Sequence, residues 1–301
     1  MLDYIARTSI VQDVVVSGGD SYSLSPDNLA YIGNALLSMP NVQRFRIATK
    51  GLCAGPSRIL DIGDGWTEEL IKLSSKARKM GKSVAMHTHF NHPNEFTWVS
   101  REAAQRLYEN GVTVRNQCVL LKGVNDSVET MGKLIRELAD NNIQPVWNFP
   151  LLFLPKNKLT CTTQYYVYAG DMVPGAEDLR TPLQTILDLE EQLRGTIGGF
   201  VFPQFVVDLP GGGGKRLAAS YKSYDRKTGR STFVAPSVKG GEKVYEYWDP
   251  LTSLPEGGVE GGAEEKGNSQ SSAESVADGA SKEPVIRQGI ARFALNDERK
   301  S

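Results

Sequence analysis

The chain has 301 residues, of which 40% are apolar and 23% charged, enough for one large α/β domain or two smaller ones. Its net charge of −1 excludes the strongly basic character typical of proteins that bind nucleic acid or anionic membranes. We therefore expect neither a nucleic-acid partner nor a membrane partner.

The first residues and the cysteines indicate a cytoplasmic location. The opening sequence MLDYIARTSI has no apolar core and carries Asp3, which argues against a secretory signal. No apolar run approaches the roughly 18 residues of a membrane-spanning helix. Cys53, Cys118 and Cys161 are far apart, which is typical of reduced thiols and excludes a compact cysteine-rich metal motif.

Short apolar runs alternate with helical patterns along the first two hundred residues. The predicted strands are 13–17, 42–49, 82–90, 112–121, 165–168 and 200–207. Five helices are predicted. The first begins at Pro26 after the cap Ser25, the second spans 66–80 before Gly81, and the third follows the cap Ser100 as far as Gly111. The fourth follows the cap Asp126 or Ser127, and the fifth runs from Thr181 to Arg194. Repeated strand–helix units predict a parallel sheet, open or closed into a barrel.

Unusual polar residues stand where these strands end. They are Ser17-Gly18-Gly19-Asp20, Thr49-Lys50, His89-Phe90-Asn91, Asp171 and Asp208, with Gln117 lying in the fourth strand. Parallel α/β folds place their chemistry at the carboxyl ends of the strands. The pattern therefore predicts an active site at that edge, although Asp171 and Asp208, taken singly, are also typical of solvated or capping carboxylates.

The segment from Asp208 to Lys215, DLPGGGGK, is the sharpest local signal. A glycine-rich loop lets backbone N–H groups approach a phosphate, and an adjacent lysine can form a Schiff base with an aldehyde cofactor. A flexible surface loop with a solvated lysine is the alternative. A P-loop is excluded because the positions that should hold glycine and Ser/Thr are Leu209 and Arg216.

All three histidines lie in the segment from His87 to Glu95, HTHFNHPNE. Residues 87 and 89 would share one face of a strand, so a metal site is conceivable. We favour a polar cofactor-binding role over metal, because no fixed Cys/His ligand spacing accompanies the histidines. The turn Ser17 to Asp20 alone is an ordinary connection, although its glycines let a small ligand approach the backbone.

The composition changes after about Gly240, where Gly, Ser, Glu and Ala dominate through Glu283. This pattern is typical of disorder, with a short helix possible near 286–295. We therefore divide the chain into a core of residues 1–215, a C-terminal extension of 216–250 and a mostly disordered tail of 251–301, to which we assign no catalytic role.

Taken in order, the motifs resemble those of the lysine 2,3-aminomutase family. The matching stretches are DVVVSGGD, HTHFNHPNE, NQCVLLKGVND, YYVY, GDMVPGAEDLRTP and FVVDLPGGGGK, which together cover about residues 2–215. The resemblance implies a partial (β/α)6 barrel of the radical S-adenosylmethionine type, here without its first strand and cluster loop.

The resemblance also implies a reaction and its cofactors. In the family, a [4Fe–4S] cluster cleaves S-adenosylmethionine to a radical that takes a hydrogen from lysine held on pyridoxal phosphate. The amino group then migrates from C2 to C3 and gives β-lysine. The implied partner is therefore a small-molecule substrate, lysine, and a homo-oligomer is conceivable. The cofactors carry the difficult chemistry and the protein positions them.

Residue by residue, the resemblance assigns site roles. Lys215 matches the catalytic lysine that holds pyridoxal phosphate. Asp171 and Asp208 match the acids that bind the substrate side-chain ammonium, and Tyr168 matches a residue of the substrate pocket. The residues that match contacts to S-adenosylmethionine are Ser17, Gly18, Gly19, Asp20, His89 and Gln117.

The chain departs from the family where the cluster should be held. The CxxxCxxC motif lies upstream of DVVVSGGD in the family, and three thiolates are needed for a [4Fe–4S] cluster. We therefore expect no ligands for the cluster in this chain and no turnover by the chain as it stands. We also expect no zinc, since Ser127 stands where some members of the family have a cysteine. The alternatives are a fragment of an aminomutase and a non-catalytic remnant that retains the cofactor scaffold. An ordinary pyridoxal-phosphate lyase or racemase fits the motifs less well.

Residues 146–164, VWNFPLLFLPKNKLTCTTQ, are predicted to be an insertion. In the family, the proline matching Pro145 runs directly into the tyrosines matching Tyr165 and Tyr166. Nineteen additional residues inside a buried strand would interrupt its ladder. We favour a retained intron over a surface excursion.

Overall fold

The computed structural model describes residues 1–143, 166–173, 175–236, 241–254 and the short strand Ala291–Arg292. The predicted insertion at 146–164 and nearly all of the predicted tail at 251–301 lie outside those residues, so both remain sequence-based predictions. Among the described residues, no helix is both long and apolar enough to cross a membrane.

Helices and strands alternate along most of the chain. The helices are α1 Leu2–Arg7, α2 Pro26–Ser38, α3 Gly51–Ala54, α4 Ser57–Leu60, α5 Trp66–Lys79, α6 Trp98–Glu109, α7 Val128–Asp140 and α8 Leu183–Leu193. The strands are β1 Asp13–Val16, β2 Arg44–Ala48, β3 Ser83–Thr88, β4 Thr113–Asn116, β5 Cys118–Val119, β6 Tyr166–Tyr168, β7 Gln204–Leu209, β8 Gly214–Leu217, β9 Tyr221–Asp225, β10 Arg230–Pro236, β11 Glu242–Trp248 and β12 Ala291–Arg292.

Two sheets are predominantly parallel. The first has the order β12-β1-β2-β3-β4 with every pair parallel, and the second has the order β5-β6-β7-β8 with only β8 antiparallel. The predicted α/β class with parallel strands is therefore confirmed. β4 and β5 are separated by Gln117 alone, so one extended segment contributes a strand to each sheet.

The hydrophobic core includes residues of the first sheet and its helices, and it continues through α7, α8 and the other two sheets. In β2 the apolar Phe45 and Ile47 are buried, whereas the alternate residues Arg44 and Arg46 are half-buried on the opposite face. Helices α2 and α5 approach so closely that a Cβ on Gly33 would lie 2.4 Å from a methyl carbon of Leu73. A side chain at that position would require the Leu73 side chain to move.

Several predicted boundaries are corrected. Helix α6 is capped by Thr97 rather than Ser100, because the two hydroxyl residues form a reciprocal capping box in which Ser100 bonds back to the Thr97 N–H at 2.7 Å. The strand predicted at 112–121 divides into β4 and β5. The strand predicted at 200–207 is displaced to β7, since residues 199–201 form a short 3-10 helix.

A third, antiparallel sheet follows, with the order β11-β10-β9. Its last strand, β11, lies just beyond Gly240, where the composition begins to change, and within the predicted C-terminal extension of 216–250. The short helix considered near 286–295 is also wrong, because Ala291–Arg292 pair in parallel with Val14 and Val15 of β1.

The third sheet is joined to the second through Arg180. This buried side chain donates to both carboxylate oxygens of Glu177, at 2.9 and 3.0 Å, and to the carbonyl of Trp248 at the end of β11. The Tyr247 hydroxyl donates to the Gly170 carbonyl at 3.2 Å, and Arg180 stacks over the Tyr247 ring. β11 therefore supports the segment that leads from β6 to Asp171.

Candidate active site

Lys215 and Asp208 face each other across the β7–β8 hairpin. The two residues are partners in the antiparallel register, and Lys215 Nζ lies 3.0 Å from Asp208 Oδ2. Their side chains are 39% and 35% exposed, so the amine is accessible from solvent. The sequence therefore places a lysine amine beside a carboxylate at the carboxyl end of a parallel strand.

The four glycines between these residues build the turn of the hairpin. Gly211, Gly212 and Gly214 have φ values of 67°, 97° and 67°, which other residues rarely adopt. At Gly213 a Cβ would lie 2.7 Å from the Leu209 Cβ and 2.8 Å from the Tyr245 ring, so packing also requires glycine there. The loop composition thus has a structural cause besides the predicted approach of a phosphate.

Tyr168 lies over the amine. Lys215 Nζ is 5.1 Å from the centroid of the Tyr168 ring, and the neighbouring Tyr166 ring packs edge-on against Tyr168 at 5.6 Å. Burial raises the pKa of Tyr168, and the charges of Asp208 and Asp171 act in the same direction. The structure thus brings together Lys215, Asp208 and Tyr168, with Asp171 close enough to influence the tyrosine.

A cavity of about 360 Å³ opens beside Lys215. This volume is in the range of small-molecule sites. Its lining combines aromatic, apolar and basic groups: Tyr166, Gln204, Val206, Lys215, Arg216, Leu217 and Ser220. A reactive amine, a carboxylate partner and a cavity of this size fit an aldehyde cofactor attached at Lys215.

The turn after β1 is held from inside the protein. Asp20 accepts from the N–H of Tyr22 at 2.8 Å and from the N–H of Lys50 at 3.0 Å, so both carboxylate oxygens have protein partners. A Cβ on Gly19 would meet nothing within 4 Å. Asp20 therefore shapes the turn, and open space beside Gly19 leaves room for a small ligand.

Lys50 connects this turn to the end of β3. Its Nζ donates to the His89 carbonyl and to Glu95 Oε1, both at 2.9 Å. Burial lowers the pKa of Lys50, but the bond to Glu95 outweighs it and the pKa is raised. Burial and the nearby charge of Lys50 lower the pKa of His89. Sequence analysis placed Lys50 at a strand end and Glu95 in the histidine segment but missed their pairing, which joins residues 45 positions apart.

Two asparagines complete this second cluster. His89 Nε2 lies 3.0 Å from Asn91 Nδ2, and Asn91 Oδ1 accepts from the Val119 N–H at 3.0 Å. Asn125 Nδ2 donates to the Asn91 carbonyl at 2.8 Å. The backbone N–H of Gln117 donates to the Thr88 carbonyl at 2.9 Å, and the residue is exposed. His89 and Gln117 thus lie at the adjacent ends of β3 and β4, although Gln117 had been predicted inside its strand.

The Lys50–Glu95 pair should stabilise the fold in a pH-dependent way. Burial raises the pKa of Glu95, but the bonds from Lys50 and from the N–H groups of Asn91 and His92 outweigh it and lower the pKa below 4.5. A depressed carboxyl pKa contributes stability that is present above pH 4.5 and lost as pH falls through the folded value. We expect Glu95→Gln to lower the free energy of unfolding by about 1 kcal/mol at pH 7.

Urea unfolding from pH 3 to 7 would measure this effect. The difference in the free energy of unfolding between wild type and Glu95→Gln should begin to narrow as the pH falls below about 4.5. It should vanish once the pH has passed the lower pKa of the folded carboxyl. Glu109→Gln is the control, since that exposed side chain bonds only to Gln105 among the described residues. A difference that stays constant over the whole range would contradict the assignment.

The described residues do not fit an iron–sulfur cluster. Cys53 is half-buried, with a pKa that burial and the nearby Glu95 raise to about 11, and Cys118 is buried. Within the described ranges, no three His, Cys, Asp or Glu side chains are placed to hold a metal ion. A cluster needs three thiolates together, so we assign no step of the chemistry to a cluster held by these residues.

Known proteins similar to this chain share one type of reaction. Over 214 residues the chain is 38% identical to an L-lysine 2,3-aminomutase of Clostridium subterminale and 36% identical to one of Acetoanaerobium sticklandii. It is 33% identical over 214 residues to a glutamate 2,3-aminomutase of Clostridioides difficile. Each alignment covers 71% of this chain and 44% of the relative. No family model matches the chain.

The parallel α/β fold, the lysine–carboxylate site and these relatives place the chain among the aminomutases, a class of isomerase. The chain belongs to the lysine 2,3-aminomutase family. It spans less than half the length of the relatives named above.

Proposed function

We propose that this chain forms the part of a lysine 2,3-aminomutase that holds pyridoxal phosphate and positions the substrate lysine. The observation that carries the proposal is the pairing of the Lys215 amine with Asp208 beside a cavity of about 360 Å³. We further propose that the two parallel sheets, continuous through Gln117, are the wall of the family's partial (β/α)6 barrel.

Lys215 is the group that attaches the cofactor. When bound, pyridoxal phosphate stabilises the electron-deficient centre that forms as the amino group migrates between C2 and C3. Asp208 holds the Lys215 side chain in place before the cofactor attaches, and the Tyr168 ring forms an apolar wall beside it. The same hairpin thus presents the amine and keeps it oriented.

Asp171 and Asp208 supply negative charge for a cationic substrate. Asp208 is released from Lys215 once that amine is no longer an ammonium, which leaves its carboxylate for the side-chain ammonium of lysine. Asp171 is exposed beyond β6 and lies near Tyr168. Two carboxylates favour a cation, whereas the side chain of glutamate would be repelled.

Ser17 to Asp20, His89 and Gln117 are proposed to contact S-adenosylmethionine. Support comes from their positions at adjacent strand ends and from the open space beside Gly19. The alternative function, a non-catalytic protein that retains the cofactor scaffold, predicts cofactor attachment without any conversion of lysine.

The choice of substrate can be tested by binding. We expect the protein loaded with pyridoxal phosphate to bind L-lysine in a calorimetric titration and to bind L-glutamate much more weakly. Asp208→Asn should weaken lysine binding about tenfold or more, because a hydrogen bond to a charged group contributes roughly 1.5–3 kcal/mol.

Asp225→Asn is the matched control, since this carboxylate lies in β9 and bonds to Lys227 and Thr228. Tighter binding of glutamate than of lysine by the wild type would refute the assignment of the two carboxylates. With the family's upstream CxxxCxxC segment supplied to hold the cluster, conversion of lysine to β-lysine by the loaded protein with S-adenosylmethionine would separate the enzyme from a cofactor-binding remnant.

A further inference from the structure

The outer edge of β1 is a candidate docking site for a further strand. On its inner side β1 pairs in parallel with β2 over all four residues, Asp13 to Val16. On its outer side β1 pairs in parallel with β12 over only two residues, Val14 with Ala291 and Val15 with Arg292. Within the described ranges β12 is the only strand on that side, so the outer edge of β1 is covered in part.

The composition of β1 leaves this edge open to association. Val14, Val15 and Val16 are only 1%, 9% and 2% exposed, so β1 is an apolar strand buried on both faces. An edge strand presents unpaired N–H and C=O groups that can recruit a strand from another molecule, and proline or charged side chains often prevent this. β1 contains no proline, and the carboxylate of its one charged residue, Asp13, is bonded to Arg44 of β2.

The strand that covers this edge comes from the opposite end of the sequence. Residues 255–284 contain no Ile, Leu, Met or aromatic residue. Such residues return in residues 285–295, VIRQGIARFAL, which we call the C-terminal segment, and Ala291–Arg292 lie within it. Val, Ile and Phe favour strands, and no proline interrupts the segment. The chain thus carries, after a long polar stretch, a segment whose composition suits pairing with β1.

We propose that the C-terminal segment is a detachable edge strand, which docks in parallel on β1 and blocks that edge against strands of other molecules. The observation that carries the proposal is the register of Ala291 and Arg292 with Val14 and Val15. A second copy of the chain would reach the edge only when the segment leaves. The inference goes beyond the proposed function and does not depend on it, since neither β1 nor β12 lines the cavity beside Lys215.

The small extent of the pairing makes the edge strand detachable. Two paired residues supply few backbone hydrogen bonds, whereas β2 is paired with β1 over four residues. Attachment within one chain compensates, because a tether raises the effective concentration of a segment far above that of a separate molecule. The docked form is therefore favoured over pairing with a second copy, although the segment exchanges between docked and free forms more readily than β2 does.

Cysteine cross-linking in the full chain tests the pairing. Neighbouring strands lie about 4.7–4.9 Å apart, which is within the Cα separation of a disulfide. The double variant Val15→Cys/Arg292→Cys should form an intramolecular disulfide, located by peptide mass, about tenfold or more faster than the control Val15→Cys/Ser281→Cys. Ser281 is the control position because it lies in the polar stretch before the C-terminal segment. Equal rates would overturn the proposal, and so would a disulfide that joins two molecules, which would make a second copy the occupant.

Hydrogen exchange gives a second measurement that leaves β1 unchanged. Ala291→Pro should undock the C-terminal segment, because proline removes a backbone N–H and disrupts a paired strand. Amide exchange in the peptide that contains β1 should then be about tenfold faster, and sedimentation should show self-association that increases with concentration. Ala280→Pro, in the polar stretch, should change neither. Unchanged exchange with Ala291→Pro would overturn the docking, and faster exchange without self-association would overturn the blocking role.

Discussion

Lys215→Ala is expected to abolish covalent attachment of pyridoxal phosphate. Condensation requires a primary amine, and the Lys215 amine is accessible beside a cavity large enough for the cofactor. The substitution removes an ion pair that is more than a third exposed, so the cost in folding free energy should be only about 0–1 kcal/mol. The variant should therefore remain folded while losing the adduct.

Borohydride reduction followed by peptide mass analysis gives the readout, with far-UV circular dichroism as the test of folding. Lys222→Ala is the matched control, since this exposed lysine lies on β9, outside the cavity lining. Labelling of Lys215→Ala at the wild-type level would place the attachment at another lysine and would remove the main support for the proposed function.

Arg180→Ala should destabilise the protein more than any other substitution considered above. The Arg180 side chain is only 3% exposed, its guanidinium stacks on Tyr247, and it bonds to Glu177 and to the Trp248 carbonyl. Loss of a buried charged group with several hydrogen bonds costs about 3 kcal/mol. The free energy of unfolding of Arg180→Lys should lie between those of Arg180→Ala and wild type, because lysine keeps the charge but not the planar guanidinium.

Chemical denaturation would measure both variants against Arg194→Ala. Arg194 is also paired with a glutamate, Glu190, but its side chain is 62% exposed, so its removal should change stability by about 0–1 kcal/mol. Equal losses for Arg180→Ala and Arg194→Ala would show that the junction between β11 and the Asp171 segment does not stabilise the fold.

The features predicted correctly depend on neighbours in the sequence. Ser25 and Pro26 begin α2 as expected, because an N-cap hydroxyl and a proline act within a single turn. The α6 start was missed by three residues because Thr97 and Ser100 both carry capping hydroxyls. Strand β11 was missed because averaged composition conceals the period of two in which Tyr245 and Tyr247 are buried.

In the candidate site, too, some features were predicted from the sequence and others were not. Asp208 was predicted from the end of its strand, Lys215 from the glycine-rich loop and Tyr168 from the family resemblance, and the structure places the three side chains together. The roles assigned to them from the resemblance remain predictions. Lys50 and Glu95 lie far apart in the sequence, and the contacts of Arg180 join two different sheets. A local sequence pattern therefore cannot predict these two sets of contacts. The direction of β8 also depends on backbone angles at the glycines, which a parallel-strand pattern does not specify.

The length of the glycine loop between β7 and β8 fixes the register of the two strands. Leu209 pairs with Gly214, so four residues separate the paired positions and Lys215 falls opposite Asp208. The faces of a strand alternate with every residue, so the parity of the loop decides which side chain meets the carboxylate. A slip of one position would bring Arg216 to Asp208, and a guanidinium cannot take the place of a condensing amine. The number of residues in the loop thus decides whether a lysine amine or another group lies beside Asp208.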